Sequence, residues 1–359
     1  MNFAFLNFVD TIVRIKPYYQ LSRRIIQSNF TRLSFPYKLT FVLTDKCNYR
    51  CKTCNIWKKK ASNELSFKEI DRFFKKSSDL LWVDLTGGEV MLRKDFLDIC
   101  YSLIRHCSGL LLLHFPTNGY LTKITVRNVK EISKMWEGKL IITISLDGDE
   151  EMNDSIRGVK GGWRRQIETY RLLSGMKGVH TVFGMTLSAD NVKHFPAAYD
   201  AVKKECPWIR YEDFHVNVFH ESEHYFNNIG NQKADTNDVI STIQEYSRLR
   251  GFPLNPVSIL EKIYLNKVPQ FLRLNKTPIP CHALRSSCFI DPIGNVFPCS
   301  IYNRKVGNLR DMNYDLRHIW SLKKTDQLQK DIWHGRCPHC WTPCEAYQSI
   351  MGNIIRAIG

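Results

Sequence analysis

Six short apolar runs set the fold class. They occupy residues 39–43, 80–85, 110–115, 140–145, 179–187 and 214–219, and each is brief, continuous and partly β-branched. That is the pattern of strands buried on both faces. Between them lie stretches with helical periodicity, such as 66–78 and 95–107, and Ser66 with Glu69 makes a capping box that marks a helix start. Strand–helix repeats of this length build parallel βαβ units. The chain is therefore α/β, a sheet or barrel, and six repeats would leave a barrel incomplete.

Three regions follow from the patterning. In residues 1–35, Phe5, Phe8, Val9, Ile12 and Val13 fall at helical spacing, and one acid, Asp10, stands against Arg14, Lys16, Arg23, Arg24 and Arg32. A basic, aromatic, amphipathic helix suits a membrane interface. A stripe docked on the protein's own body is the commoner use, and the reading leans to it. The barrel core is expected over 36–254, closing with a helix at 236–249. Beyond it Pro253, Pro256, Pro269, Pro278 and Pro280 punctuate the chain. They predict a small domain over 255–359, Cys-rich and poor in long helices, that needs metal to hold it.

Charge and cysteine content narrow the setting. Lys and Arg number 51 against 35 Asp and Glu, a net charge of +16. That excess favours an anionic partner or substrate, or is a plain solvated surface. Twelve cysteines are many for 359 residues. The first residues lack a basic-then-apolar pattern with a small-residue cleavage site. A reducing, cytoplasmic setting with metal-bound thiolates is the expectation. No apolar run reaches the ~18 residues of a transmembrane helix, so any membrane contact would be peripheral, through 1–35.

Cys47, Cys51 and Cys54 follow the first strand in a Cys-x3-Cys-x2-Cys run. Three thiolates on one loop can wrap one face of a four-iron cluster and leave one iron open for a small molecule. Most Fe–S clusters carry four protein thiolates and only move electrons. Zinc would want a fourth ligand nearby, and none is obvious in the loop.

On these residues the chain resembles the radical S-adenosylmethionine superfamily from about residue 37 onward. The resemblance implies a partial (βα)6 barrel of TIM-like build, with a [4Fe–4S] cluster held by Cys47, Cys51 and Cys54 at its C-terminal mouth. S-adenosylmethionine would bind the open iron. One departure is Thr53, where the family often has an aromatic residue; Tyr49 or Trp57 would then meet the adenine. Gly87, Gly88 and Glu89 match the family's motif for the methionine amino group. Glycines there let backbone carbonyls approach a ligand, although Gly-Gly alone is an ordinary turn signal. Ser145 and Asp147 suit the ribose hydroxyls, and Arg157 the methionine carboxylate, by a bidentate fork. The plain alternatives are a helix cap for Asp147 and a surface site for Arg157. Asn118, in an Asn-Gly turn pair, would reach the same mouth.

A second set comprises Cys281, Cys288, Cys299, Cys337, Cys340 and Cys344. Residues 290–299 read as a β-hairpin, and Cys337 with Cys340 as a CxxC turn suited to adjacent ligands on one metal. The spacing resembles the SPASM and twitch extensions, which implies a hairpin-plus-helix domain with an auxiliary [4Fe–4S] cluster. Cys281, Cys299, Cys337 and Cys340 form the expected ligand set of one such cluster, with Cys288 and Cys344 as contenders; a zinc ribbon is the alternative. Cys100, Cys107 and Cys206 read as inert buried thiols. The implied activity is reductive cleavage of S-adenosylmethionine, with electrons from a ferredoxin- or flavodoxin-like donor. The resulting radical would act on a peptide, or on a lipid or sugar. An Fe–S electron carrier and a zinc-dependent nucleic-acid-binding protein are the competing classes.

Overall fold

The computed structural model describes residues 3–253 and 255–358, with side chains from residue 16 onward. The strands are β1 (Lys38–Val42), β2 (Trp82–Thr86), β3 (Leu112–Thr117), β4 (Lys139–Ser145), β5 (Val179–Leu187), β6 (Phe214–Val218), β7 (Ser287–Ile290), β8 (Asn295–Phe297) and β9 (Gly307–Asn308). The helices are α1 (Phe3–Phe30), α2 (Phe67–Lys75), α3 (Phe96–His106), α4 (Thr122–Met135), α5 (Glu150–Arg157), α6 (Gly162–Leu173), α7 (Phe195–Glu205), α8 (Thr236–Leu249), α9 (Pro256–Leu274), α10 (Leu316–Trp320), α11 (Lys323–Trp333), α12 (Pro343–Met351) and α13 (Ile354–Ile358). The sheet order is β6-β5-β4-β3-β2-β1-β7-β8-β9, and β1 to β6 are parallel throughout. This is the expected partial barrel: an α/β core in which each strand leads into a helix.

Along β4 burial alternates. Leu140, Ile142 and Ile144 are fully covered by the helix layer, while Ile141, Thr143 and Ser145 face a partly open interior. β3 alternates in the same way, with His114 half-buried toward that interior. The expected capping box on α2 is present, Glu69 Oε2 receiving Ser66 N at 2.9 Å.

Two expectations need correcting. The C-terminal region is not poor in long helices, since α9 runs for 19 residues. Pro256 starts this helix at its first position, capped by Asn255 Oδ1, which accepts from Ser258 N at 3.0 Å. Nor does the Cys-rich region stand apart. β7 pairs in parallel with β1, Lys38 against Ser287 and Phe41 against Ile290, and so extends the barrel sheet. β7, β8 and β9 form the antiparallel part. α12 then ties β1, β7 and α9 together. Lys38 Nζ donates to Cys344 O at 2.7 Å, Ser287 Oγ donates to Glu345 Oε2 at 2.6 Å, and Tyr347 bonds Glu261 of α9.

α1 packs inward through Leu21 and Ile25 against Leu33, Tyr37 and Leu81. Its outer side exposes Tyr18, Tyr19, Ile26 and Phe30, the last at 79 %. Phe5, Phe8, Val9, Ile12 and Val13 lie outside the residues whose side chains are described.

Candidate cluster and cofactor site

The loops that follow parallel strands gather at one end of a barrel, and here the loop after β1 carries Cys47, Cys51 and Cys54. Neighbouring loops hold its backbone on three sides. From the end of β2, Gly88 N donates to Thr44 O and Glu89 N to Lys46 O, each at 2.8 Å. Against the C-terminal turn of α5, Arg50 N donates to Arg157 O at 3.1 Å and Lys52 N to Ile156 O at 2.8 Å. After β6, Asn228 Nδ2 donates to Thr53 O at 3.0 Å and Asn231 Nδ2 to Lys52 O at 2.7 Å. The last two sets were not visible in the sequence, where Arg157 was read for its side chain and Asn228 and Asn231 sit far from any motif.

The glycines answer this crowding. A Cβ on Gly87 would fall 2.6 Å from Thr44 O, and one on Gly88 2.3 Å from Lys46 O. The space a side chain would need is taken by the cysteine loop itself rather than reserved for a ligand. Glu89 is buried and accepts from Thr117 Oγ1 at 2.9 Å, Met91 N at 3.1 Å and Asn118 N at 2.6 Å. It ties the ends of β2 and β3, and burial raises its pKa despite those donors. Asn118 Nδ2 reaches Asn48 Oδ1 in the cysteine loop at 2.7 Å.

Ser145 ends β4, half-buried opposite Gly184 of β5. Asp147 caps no helix; that place belongs to Asp149, which accepts from Met152 N at 3.1 Å. The Asp147 carboxylate is engaged by Arg157 NH2 at 2.8 Å and by Thr186 N at 3.0 Å. Arg157 is not a surface residue. Its guanidinium is buried beside Cys51 and Cys47, and its Nε has no partner. Burial opposes the charge, yet Asp147 and those thiols hold the pKa up. Tyr49 is buried edge-on to Tyr120, centroids 5.9 Å apart. Trp57 is partly exposed, under the Arg50 guanidinium at 5.0 Å.

Burial pushes the Cys47 thiol up to about 11 and the Cys54 thiol to about 12, and the neighbouring cysteines add to both shifts. Cys51 is raised by burial and held back by Arg157. Three crowded thiols resist ionising together, so a cationic centre is what would hold them as thiolates. Among the described residues no group of three or more His, Cys, Asp or Glu converges as ligands on a single ion would. A cubane places each thiolate on a different iron, a wider triangle than one ion needs. The donor set and the unpartnered Arg157 Nε fit a cluster with a carboxylate-bearing ligand.

In the second set four thiols gather. Cys299 and Cys340 are close neighbours, and their mutual interaction holds Cys299 down and Cys340 up. Burial raises Cys281, with Glu345, Cys299 and Cys337 adding to it. Burial also raises Cys337, again with Cys299 beside it. His339, at φ 57°, makes the turn between Cys337 and Cys340. Cys288 is a core residue of β7, with Glu345 and Lys38 as its charged neighbours. Cys344 stands between the sets, beside Lys38, Asp84 and Cys299; burial, opposed by Lys38 and reinforced by Asp84, Glu345 and Cys299, raises it to about 11. Cys100, Cys107 and Cys206 are buried in the core cluster.

Sequence reading missed a polar chain across the barrel interior. Lys38 Nζ is 3.1 Å from Asp84 Oδ2, His114 Nδ1 is 3.3 Å from Asp84 Oδ1, and His114 Nε2 is 2.9 Å from Thr143 Oγ1. Its members alternate with apolar residues on four strands, so each strand read simply as buried.

Comparison with known proteins agrees with this geometry. Residues 41–202 match the radical SAM superfamily, and residues 281–341 match SPASM, an iron–sulfur cluster-binding domain. The chain is 24% identical over 329 residues to the antilisterial bacteriocin subtilosin biosynthesis protein AlbA of Bacillus subtilis, covering 88% of this chain and 66% of AlbA. It is 25% identical over 341 residues to the mycofactocin maturase MftC of Mycolicibacterium smegmatis, covering 88% of this chain and 78% of MftC. Among solved structures, Streptococcus suis SuiB bound to S-adenosylmethionine superposes with a TM-score of 0.59 at 19% identity, over 83% of this chain and 68% of SuiB. The enzyme anSMEcpe with AdoMet and a peptide gives 0.60 at 15% identity, over 82% of this chain and 84% of that one. These two show a shared fold.

Proposed function

The chain belongs to the radical S-adenosylmethionine superfamily and carries a SPASM iron–sulfur domain; from that premise we propose that it cleaves S-adenosylmethionine reductively to modify a peptide. As a member of that enzyme family it binds a [4Fe–4S] cluster and S-adenosylmethionine in the barrel and iron–sulfur in the SPASM domain.

Cys47, Cys51 and Cys54 would hold three irons of the barrel cluster. Reduced by an external low-potential donor of the ferredoxin or flavodoxin kind, that cluster with S-adenosylmethionine supplies methionine and a 5′-deoxyadenosyl radical that takes hydrogen from the substrate. Arg157 would receive the methionine carboxylate through the Nε that has no partner, and this orphaned N–H carries the reading. Asp147 would position Arg157 through its hold on a terminal guanidinium nitrogen. The Gly87 and Gly88 backbone and Glu89 would face the amino group, Ser145 the ribose, and Asn118 the same mouth. Cys281, Cys299, Cys337 and Cys340 would ligate one auxiliary cluster. Anaerobic reconstitution with iron and sulfide counts, followed by a 5′-deoxyadenosine assay under dithionite, tests the assignment. Iron without 5′-deoxyadenosine would leave an electron carrier; zinc without iron would revive the nucleic-acid reading.

The peptide substrate is supported by what similar proteins act on. AlbA serves bacteriocin biosynthesis, and SuiB has been solved with the precursor peptide SuiA. A lipid-linked substrate is the second reading, favoured by the exposed Tyr18, Tyr19, Ile26 and Phe30 of α1, with Lys16 and Arg23 exposed beside them. Such a face suits an anionic membrane surface, although no helix among the described residues is long and apolar enough to cross a membrane. Cosedimentation with anionic liposomes that is lost on deleting residues 1–30 would support it; no binding removes it.

A further inference from the structure

Residues 219–231, between β6 and α8, run from one cysteine set to the other. On the barrel side they bond the first loop through Asn228 Nδ2 to Thr53 O at 3.0 Å, Asn231 Nδ2 to Lys52 O at 2.7 Å, and Asn55 N to Phe226 O at 2.9 Å. On the SPASM side Ser222 Oγ donates to Ser300 O at 2.5 Å, and His224 Nε2 is 3.1 Å from Cys299 O. His220 Nε2 receives Trp341 N, next to Cys340, at 3.0 Å. The two ends meet inside the segment, where Ser222 N donates to Asn228 Oδ1 at 2.8 Å. A continuous chain of hydrogen bonds thus runs from Thr53 O through Asn228 and Ser222 to Ser300 O. It starts one residue before Cys54 and ends one residue after Cys299.

Both linking side chains are 1% exposed. Asn228 uses its whole amide, since Nδ2 also reaches His220 O at 3.1 Å. Buried, fully satisfied polar networks rigidify their surroundings, because each bond lost leaves an unpaired group in low dielectric. His224 is locked as well, its ring stacked on Phe297 with centroids 4.4 Å apart. Nothing in this arrangement requires a charge to move; it is a matter of geometry. The potential of an iron–sulfur centre depends on hydrogen bonding around its ligands. A link between the two loops is therefore a link between the two centres.

The geometry points to a strap that fixes the two cysteine loops relative to each other, with Ser222 and Asn228 as its positioning residues, so that a disturbance at one centre is felt at the other. The inference rests on the reading that both cysteine sets hold clusters. The test uses the full chain, reconstituted anaerobically, with EPR spectra and redox titrations of both centres. Signals are assigned with the Cys47→Ala, Cys51→Ala, Cys54→Ala triple variant, which keeps the auxiliary signal alone. Ser222→Ala removes a hydroxyl whose bonds go to Ser300 O and to Tyr225 N at 3.1 Å, not to residues 47–54. The strap predicts that Ser222→Ala shifts the g values and midpoint potentials of both centres at unchanged iron content, and that Ser222→Thr restores both. A shift confined to the auxiliary signal, or none, overturns it. Should Ser222→Ala not fold, Asn228→Asp runs the test from the other end. It removes the bonds to the Thr53 and His220 carbonyls and keeps the acceptor for Ser222 N, so an unmoved auxiliary signal overturns the strap. A wild-type chain with no cluster signals would sink the cofactor reading instead, which keeps the two failures apart.

Discussion

Arg157 illustrates how a buried charge is held ready. Asp147 engages one terminal nitrogen of the guanidinium at 2.8 Å, and the Nε is left without a protein partner. Lysine would keep the charge and lose the fork. Arg157→Lys should therefore weaken S-adenosylmethionine binding by one or two orders of magnitude, following the roughly 1.5–3 kcal/mol of a hydrogen bond to a charged group. Equilibrium binding to the reconstituted chain, at unchanged iron content, measures it. Gly88 makes the complementary case. A methyl there would meet Lys46 O at 2.3 Å, and overpacking of this kind costs about 1–3 kcal/mol. Gly88→Ala should lower iron at the barrel site while the auxiliary centre stays filled, as EPR of the two signals would show. The residue types of this site were legible in the sequence, because thiolates, Gly-Gly and a forked cation have narrow uses. Their partners were not. Glu89 spends its carboxylate on Thr117, Met91 and Asn118, and no local pattern announces that.

At the scale of elements, strands β1 to β6 were legible because short apolar runs between helical stretches have few other readings. The helix α9 was hidden by its prolines. Pro256 is a starter, and Pro269 is carried inside the helix because Tyr264, Leu265, Val268 and Phe271 bury its inner face. The segment 219–231 was hidden because Asn, His and Ser in a loop look like solvent-facing linker until their partners are seen. α2 shows how elements distant in sequence are fastened. Glu69, in its first turn, accepts from Arg310 Nε at 2.7 Å and from Tyr314 Oη at 2.9 Å, and the Arg310 bond holds its pKa at about 2, below the ordinary 4.5. A depressed carboxylate stabilises above its unfolded value and loses that contribution as pH falls through its folded one. The difference in thermal midpoint between wild type and Glu69→Gln should be constant above about pH 5 and shrink as the pH falls from 4.5 toward 2. The pair is only partly buried and solvent screens it, so the difference is small. A gap that grows in acid would reverse the assignment.

At the scale of the molecule, two sequence regions that read as separate domains share one sheet. Lys38 pairs with both Trp82 and Ser287, and Lys38 Nζ reaches the Cys344 carbonyl. Removing residues 255–359 would strip β1 of the neighbouring β7 and His215 of β6 of its partner Glu261 on α9. We expect the fragment 1–254 to be insoluble or to lack a cooperative thermal transition by circular dichroism; a soluble fragment that melts cooperatively would show the barrel to be self-sufficient. Long-range pairing of this kind leaves no periodic mark on the sequence, which is why the boundary near 255 looked clean.

The pairing of β1 with β7 also has a consequence for biogenesis. A ribosome delivers residue 38 long before residue 287. Until the later segment emerges, the edge of the earliest strand offers its amides and carbonyls to any passing polypeptide. The nascent chain would be expected to lean on chaperones through most of its translation, and iron insertion into the barrel to wait for the carboxyl-terminal third.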